Sequence, residues 1–250
     1  RSDHMPSSRT SATGTAPDSA GLRLRHFLER FFQLRQHGDD TVFLARLQRL
    51  RAIQRQRLAD THADLLADQR LQPALTFLLD DVYGGQDLLP VATEIRRALP
   101  KALKLLPDRV MATSALALEA AILTQELDEA LARTLGERLD QPLDQAGYAE
   151  GYRDLGDDGA RRQQITLVAE LGPRLDRYIR SRTLQATFRL VRKPAHAAGF
   201  SNLYDFIDRS FRVMKPVPSV TALLERVAAR EDAIMTRLFA RHPFPFKDIP

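Results

Sequence analysis

The chain has 250 residues, 44% of them hydrophobic, with 37 basic against 32 acidic side chains and a net charge of +5. That is enough apolar material for one substantial core, and the near balance of charge describes a mixed surface that allows a polyanion partner without demanding one. Cysteine is absent, which excludes disulfides, thiolate catalysis and sulfur-ligated metal and fits a reducing cytoplasm. No apolar run approaches the ~18 residues of a membrane span, and nothing resembles a secretory leader. A soluble, cytoplasmic protein is expected.

Arg1 to Met5 (RSDHM) reads as a cloning remnant, which removes His4 from any metal argument. Residues 6–21 are Ser-, Thr-, Ala-, Gly- and Pro-rich with almost no large apolar side chain, so they cannot offset the entropy of ordering, and a disordered arm is expected. The ordered domain is expected over 22–250. Leu24, Phe27, Leu28, Phe31 and Leu34 recur at three- and four-residue steps and predict a first helix ending near Gly38. Asp39 and Asp40 then cap a second helix to about Asp68. Its stripe of Val42, Phe43, Leu47, Leu50, Ile53, Leu58 and Leu65 contains two guanidiniums, Arg46 and Arg57, that face inward.

A short helix follows over Leu71 to Tyr83, with Pro73 in its first turn and Gly84-Gly85 as its stop. Pro90 to Leu106 reads as an amphipathic helix with Arg97, Lys101 and Lys104 on its far side. The longest pattern, Pro107 to Arg138, organises the rest. Met111, Ala115, Leu118, Ile122, Leu123 and Ala130 form one stripe at 100° per residue, and Glu119 and Glu126 project from the middle of it. The segment 140–162, with glycines at 147, 151, 156 and 159, reads as a surface connector holding a short helix near Tyr148 to Leu155. Its aspartates lack calcium-loop spacing, and its glycines lack the strand and GxxxxGK[ST] of a phosphate loop.

Helices are then predicted over 165–179, with Gly172-Pro173 as a kink or break, over 183–198, and over 201–214 with a serine cap. Arg189, Arg192 and Lys193 make the second of these the most basic stretch and a candidate anion surface. Pro216 and Pro218 precede a last helix, 220–241, with Glu231 inside its stripe. The tail His242-Pro243-Phe244-Pro245-Phe246 cannot be helical. Its phenylalanines are expected to lid an apolar groove of the same molecule, or to dock on another protein.

The segment Phe77-Leu78-Leu79-Asp80-Asp81-Val82-Tyr83-Gly84 resembles the signature of the FFLEELYG-motif proteins. Leu79 stands in place of an acid, and Asp80-Asp81 is offset relative to the paired glutamates. The acidic central helix, the LGPRLDRYI segment and the Pro-Phe-rich end extend the similarity over roughly 22–246. The resemblance implies a helical proteobacterial protein. That family has no established function, so no catalytic residue transfers from it.

The fold expected is all-α, a single domain of eight or nine mostly antiparallel helices. Its inward charges, Arg46, Arg57, Glu119, Glu126 and Glu231, form either an ion-pair network that fixes helix register or a pocket for an anionic molecule. A di-metal carboxylate site needs Glu-x-x-His pairs, which are missing, so no metal, cofactor or catalytic residue is assigned. No G-x-S-x-G, HExxH or Rossmann fingerprint is present. The leading expectation is a non-enzymatic regulatory adaptor that binds another protein. A binding protein for an anionic small molecule such as a nucleotide stands second, and nucleic-acid binding is disfavoured because aromatic interleaving is sparse.

Overall fold

The computed structural model describes residues 19–35, 40–83 and 88–250. The expected arm up to residue 18, His4, and the stops at Gly38 and Gly84-Gly85 lie outside these residues, as does the side chain of Val82. The described residues form twelve α-helices and no strand: α1 (Ala20–Gln33), α2 (Thr41–Thr61), α3 (Ala63–Ala67), α4 (Gln72–Phe77), α5 (Leu89–Leu105), α6 (Asp108–Leu135), α7 (Gln145–Leu155), α8 (Asp158–Ile179), α9 (Arg182–Leu190), α10 (Arg192–Ala197), α11 (Ser201–Met214) and α12 (Val220–Phe239). A π-helical turn, Leu78–Tyr83, extends α4, and a 3-10 turn, Gly136–Asp140, follows α6.

The all-α class holds, and the helix count rises above eight or nine because long patterns break. The second pattern divides at His62, which joins α2 to α3, and the basic pattern divides at Val191, which joins α9 to α10. Two elements run longer than expected. α7 begins at Gln145 and α8 at Asp158, so most of the expected connector is helix, and α8 passes Gly172-Pro173 without a break. Pro173 is exposed, so its missing donor falls on the solvent side. On the opposite side Gly172 is buried where α8 crosses α12. A Cβ there would lie 2.7 Å from the Thr221 Cα, and glycine alone permits the approach.

α6 is the axis of the molecule, as its pattern foretold. It supplies Leu116 and Ala120 to a core cluster shared with α4, α8 and α12, Leu131 and Leu135 to one shared with α2, α7 and α12, and Ala115 and Ile122 to one shared with α1 and α5. Its apolar length would suffice to cross a bilayer by length and composition, a test that the core helix of a soluble protein also passes.

Helix ends are closed by carboxylates and hydroxyls, several reaching across from other helices. Asp40 caps α2 by accepting from Phe43 N at 3.0 Å, as its position requires. The serine cap expected at α11 is replaced by Glu94 of α5, which accepts from Asn202 N at 3.3 Å and from Asn202 Nδ2 at 2.9 Å. Asp176 of α8 accepts from Val220 N at 3.0 Å and Thr221 N at 2.8 Å at the start of α12, locking the two helices together beside Gly172.

Candidate functional site

The five inward charges do not meet in one place. Glu119 and Glu126 sit at the edge of the α6 stripe, where α1 covers them with Arg23 at 3.5 Å and Arg30 at 2.7 Å. Neither lines any of the spaces described below; the arginines of α1 claim them because that helix packs along the same face. Arg46 is likewise held at the surface, in a bidentate pair with Asp140 at 3.0 and 2.7 Å, because the 3-10 turn after α6 brings Asp140 alongside α2. Arg189, Arg192 and Lys193 are exposed on α9 and α10 and form no ion pair among the described residues.

Arg57 and Glu231 do meet. The Arg57 Nη1 donates to Glu231 Oε1 at 2.8 Å, and the same oxygen receives His62 Nε2 at 3.0 Å. A carboxylate only accepts, so Nε2 carries the hydrogen. His62 is fully buried, and the side chains of Arg57 and Glu231 are 16% and 11% exposed, so this is a buried charge cluster. Burial alone would raise the Glu231 pKa. Arg57 and His62 outweigh it and hold the carboxyl at about 2, while Glu231 in turn raises the Arg57 pKa against its own burial.

This pair lines a cavity of about 40 Å³ between α2, the π-helical turn, α6, α7, α8 and α12. The other polar walls are Gln54, Tyr83, Asp128, Tyr148, Tyr152, Arg161 and Gln164. Asp128 is buried, with Arg51 Nε at 3.5 Å. Burial dominates there and pushes its carboxyl up to about 6, although Arg51 and Arg161 pull the other way. Burial also pushes the Tyr152 hydroxyl up to about 12. The Arg161 guanidinium lies 4.4 Å over the Tyr152 ring, in cation–π geometry.

Among the described residues, four buried side-chain nitrogens have no hydrogen-bond partner: Arg57 Nε, Arg161 Nε, Arg161 Nη2 and His62 Nδ1. Three of them are guanidinium nitrogens on two arginines that line the same cavity. Buried donors are normally satisfied, and those left over mark a place for water or a ligand.

An outer groove of about 520 Å³ adjoins the cavity along α2 and the start of α7. Arg57, Tyr148 and Phe246 line both spaces and form the partition between them. The tail is thus a lid, through one phenylalanine of its two: Phe246 packs 6.1 Å from the Tyr148 ring, and Phe244 points to solvent. Arg230, paired with Asp64 at 2.7 and 2.8 Å, also donates to the Pro250 carbonyl at 3.2 Å and so ties the tail down.

Sequence reasoning missed Asp128, Arg161 and Tyr152 as site residues. Asp128 was legible in the ridge Leu116, Ala120, Thr124, Asp128, whose four-residue steps carry it onto a buried line. Arg161 was legible in Arg161, Gln164, Val168, Leu171, had α8 been started at Asp158. Tyr83, the seventh residue of the eight-residue motif, reaches the cavity from the end of the π-helical turn. Single π-turns are frequent at functional sites.

No curated protein and no solved structure matches the chain. A family model described as a domain of unknown function (DUF8198) matches residues 33–245, a span that contains every wall of the cavity except Phe246. The chain belongs to that family.

Proposed function

We propose that the chain is a binding protein for a small carboxylate-bearing molecule, held with its acid group between Arg57 and Arg161. The observation that carries the reading is the set of three unpartnered guanidinium nitrogens on two arginines that line one cavity. The inner space of about 40 Å³ matches a head group little larger than one water, whose share of liquid volume is ~30 Å³. The outer groove lies within the ~300–1,000 Å³ of small-molecule sites and would take the body of the ligand once Phe246 moves aside. A whole nucleotide phosphate chain does not match so small an inner chamber, which narrows the anionic class expected from the sequence.

The adaptor role rests on features that favour it less, since Phe246, half of the proposed docking tail, is turned into its own molecule. Cytoplasmic action and kinship with bacterial FFLEELYG-motif proteins belong to the same proposal. They are supported by the cysteine-free sequence and by the placement of Tyr83 of that motif in the cavity wall.

The test is a thermal-shift and calorimetric screen of mono- and dicarboxylates, with inorganic phosphate and sulfate beside them. A true ligand stabilises the fold by about 2.7 kcal/mol at a hundred times its Kd. A saturable shift that survives Arg46→Gln and vanishes in Arg161→Gln is expected. A panel that leaves both the wild type and Arg161→Gln unshifted would refute the reading.

A further inference from the structure

A second space lies on the far side of the π-helical turn, about 450 Å³ in volume and walled by residues of α4, α6, α8, α9, α11 and α12, by Leu78 of the turn itself and by Leu106 at the end of α5. Its character is the opposite of the polar cavity. Aromatic rings stiffen the walls: Phe188 stacks on Tyr204 at 4.2 Å and meets Phe211 edge-on at 5.4 Å, and Phe77 packs 5.5 Å from Phe206. Four polar side chains reach the lining, and each has already given its hydrogen to a helix carbonyl. Thr113 and Tyr178 donate to Arg109 O at 2.9 and 3.0 Å, Ser114 donates to Val110 O at 2.9 Å, and Ser210 donates to Ile207 O at 2.7 Å. An occupant of this groove therefore meets hydrocarbon and spent hydroxyls.

The rim is cationic. Residues 171–215 carry ten basic side chains against three acidic ones. Arg109, Arg177, Arg189 and Lys215 are exposed and form no ion pair among the described residues. Each is the sequence neighbour of a groove residue, Val110, Tyr178, Phe188 or Met214, which sets it on the flank of its helix at 100° from the lining. Of the three acids in that stretch, Asp176 is committed to the N-terminus of α12, Asp205 lies 3.0 Å from His196 and Asp208 is paired with Arg212 at 2.6 Å, and Asp108 stands at the start of α6.

We infer that this groove binds one long-chain fatty acid, its alkyl chain among the rings and its carboxylate on the arginine rim. The volume lies in the range of small-molecule pockets, whereas a protein partner needs ~800 Å² of continuous face and would have to lie across exposed, charged arginines. The inference is independent of the polar cavity, since it uses none of that cavity's residues.

The experiment is isothermal titration of the full chain with monomeric octanoate, decanoate, laurate and myristate, and with dodecanol. We expect one-to-one binding that tightens about fourfold per methylene, as burial of a CH₂ implies, with laurate at least tenfold tighter than dodecanol. Ala117→Trp fills the groove from its α6 wall, where Ala117 is exposed, and should weaken laurate more than tenfold with an unchanged Tm. The rim variant Arg109→Glu/Lys215→Glu, which touches no packing, should lower laurate affinity and leave dodecanol alone; it carries the test should Ala117→Trp unfold. Equal affinity for dodecanol, many laurates per chain, binding only to phosphatidylglycerol vesicles, or no dependence on chain length would each overturn the inference.

Discussion

Replacing Asp128 by asparagine should stabilise the protein at neutral pH and do nothing in acid. The carboxyl is buried, and its pKa rises from an ordinary 3.8 to about 6 because burial outweighs Arg51 and Arg161. A folded-state pKa above the unfolded one means that the native state holds a proton that the unfolded chain has already released. Stability therefore falls as pH rises from about 4 to about 6, and the cost is complete above that window. A shift of roughly two units at ~1.4 kcal/mol each amounts to about 3 kcal/mol. Asparagine keeps the shape and the accepting oxygen and removes the ionisation, so Asp128→Asn should recover up to that amount at pH 7.5. For a chain of this size each kcal/mol moves Tm by ~2–4 °C, giving a rise of about 6–12 °C. Urea titrations at pH 7.5 and pH 4, followed by far-ultraviolet circular dichroism, measure it, with the m-value unchanged. A loss of stability at pH 7.5, or a gain that persists at pH 4, would refute the reasoning.

The neighbouring pair behaves in the reverse sense. Glu231 is held at about 2, so its contribution is present above the ordinary carboxylate pKa and is lost as pH falls toward 2. Arg57→Met strands it beside His62 and should cost about 3–5 kcal/mol, whereas Arg57→Met with Glu231→Leu should recover most of that loss in a double-mutant cycle. An anion bound near Asp128 must raise its pKa further and take up a proton, so carboxylate affinity should weaken as pH rises through 6. Calorimetry in buffers of different ionisation heat reads that uptake directly, and Asp128→Asn should abolish it. Gly172→Ala drives a methyl into the Thr221 backbone and should destabilise by about 1–3 kcal/mol; a Tm equal to the wild type would show that α8 and α12 can part there.

The sequence carried the architecture well and the site in part. The α6 pattern was readable as the axis because apolar spacing over 28 residues leaves little freedom in what a helix buries. The charges on that stripe were misread because a helical wheel has no information about the neighbour. Glu119 and Glu126 looked core-facing, and only the docking of α1 reveals that Arg23 and Arg30 meet them at a boundary. Arg57 and Glu231, 174 residues apart, were flagged separately, and their pairing is a tertiary fact. Arg161 was hidden by glycine-rich composition around it, which masked the true start of α8. The hydroxyl-lined apolar groove left no signature, since its walls come from many helices and each contributes residues that would suit any core.

The π-helical turn 78–83 spends its residues in several directions at once. Asp80 reaches Arg55 of α2 at 2.6 Å, Asp81 reaches Arg209 of α11 at 3.0 Å, Leu78 and the preceding Phe77 wall the apolar groove, and Tyr83 walls the polar cavity. One short strut is thus the party wall of two chambers with opposite tastes. Whatever an occupant of one chamber does to the free energy of that wall, an occupant of the other must feel and return in equal measure, because linkage between two bound states has no preferred direction.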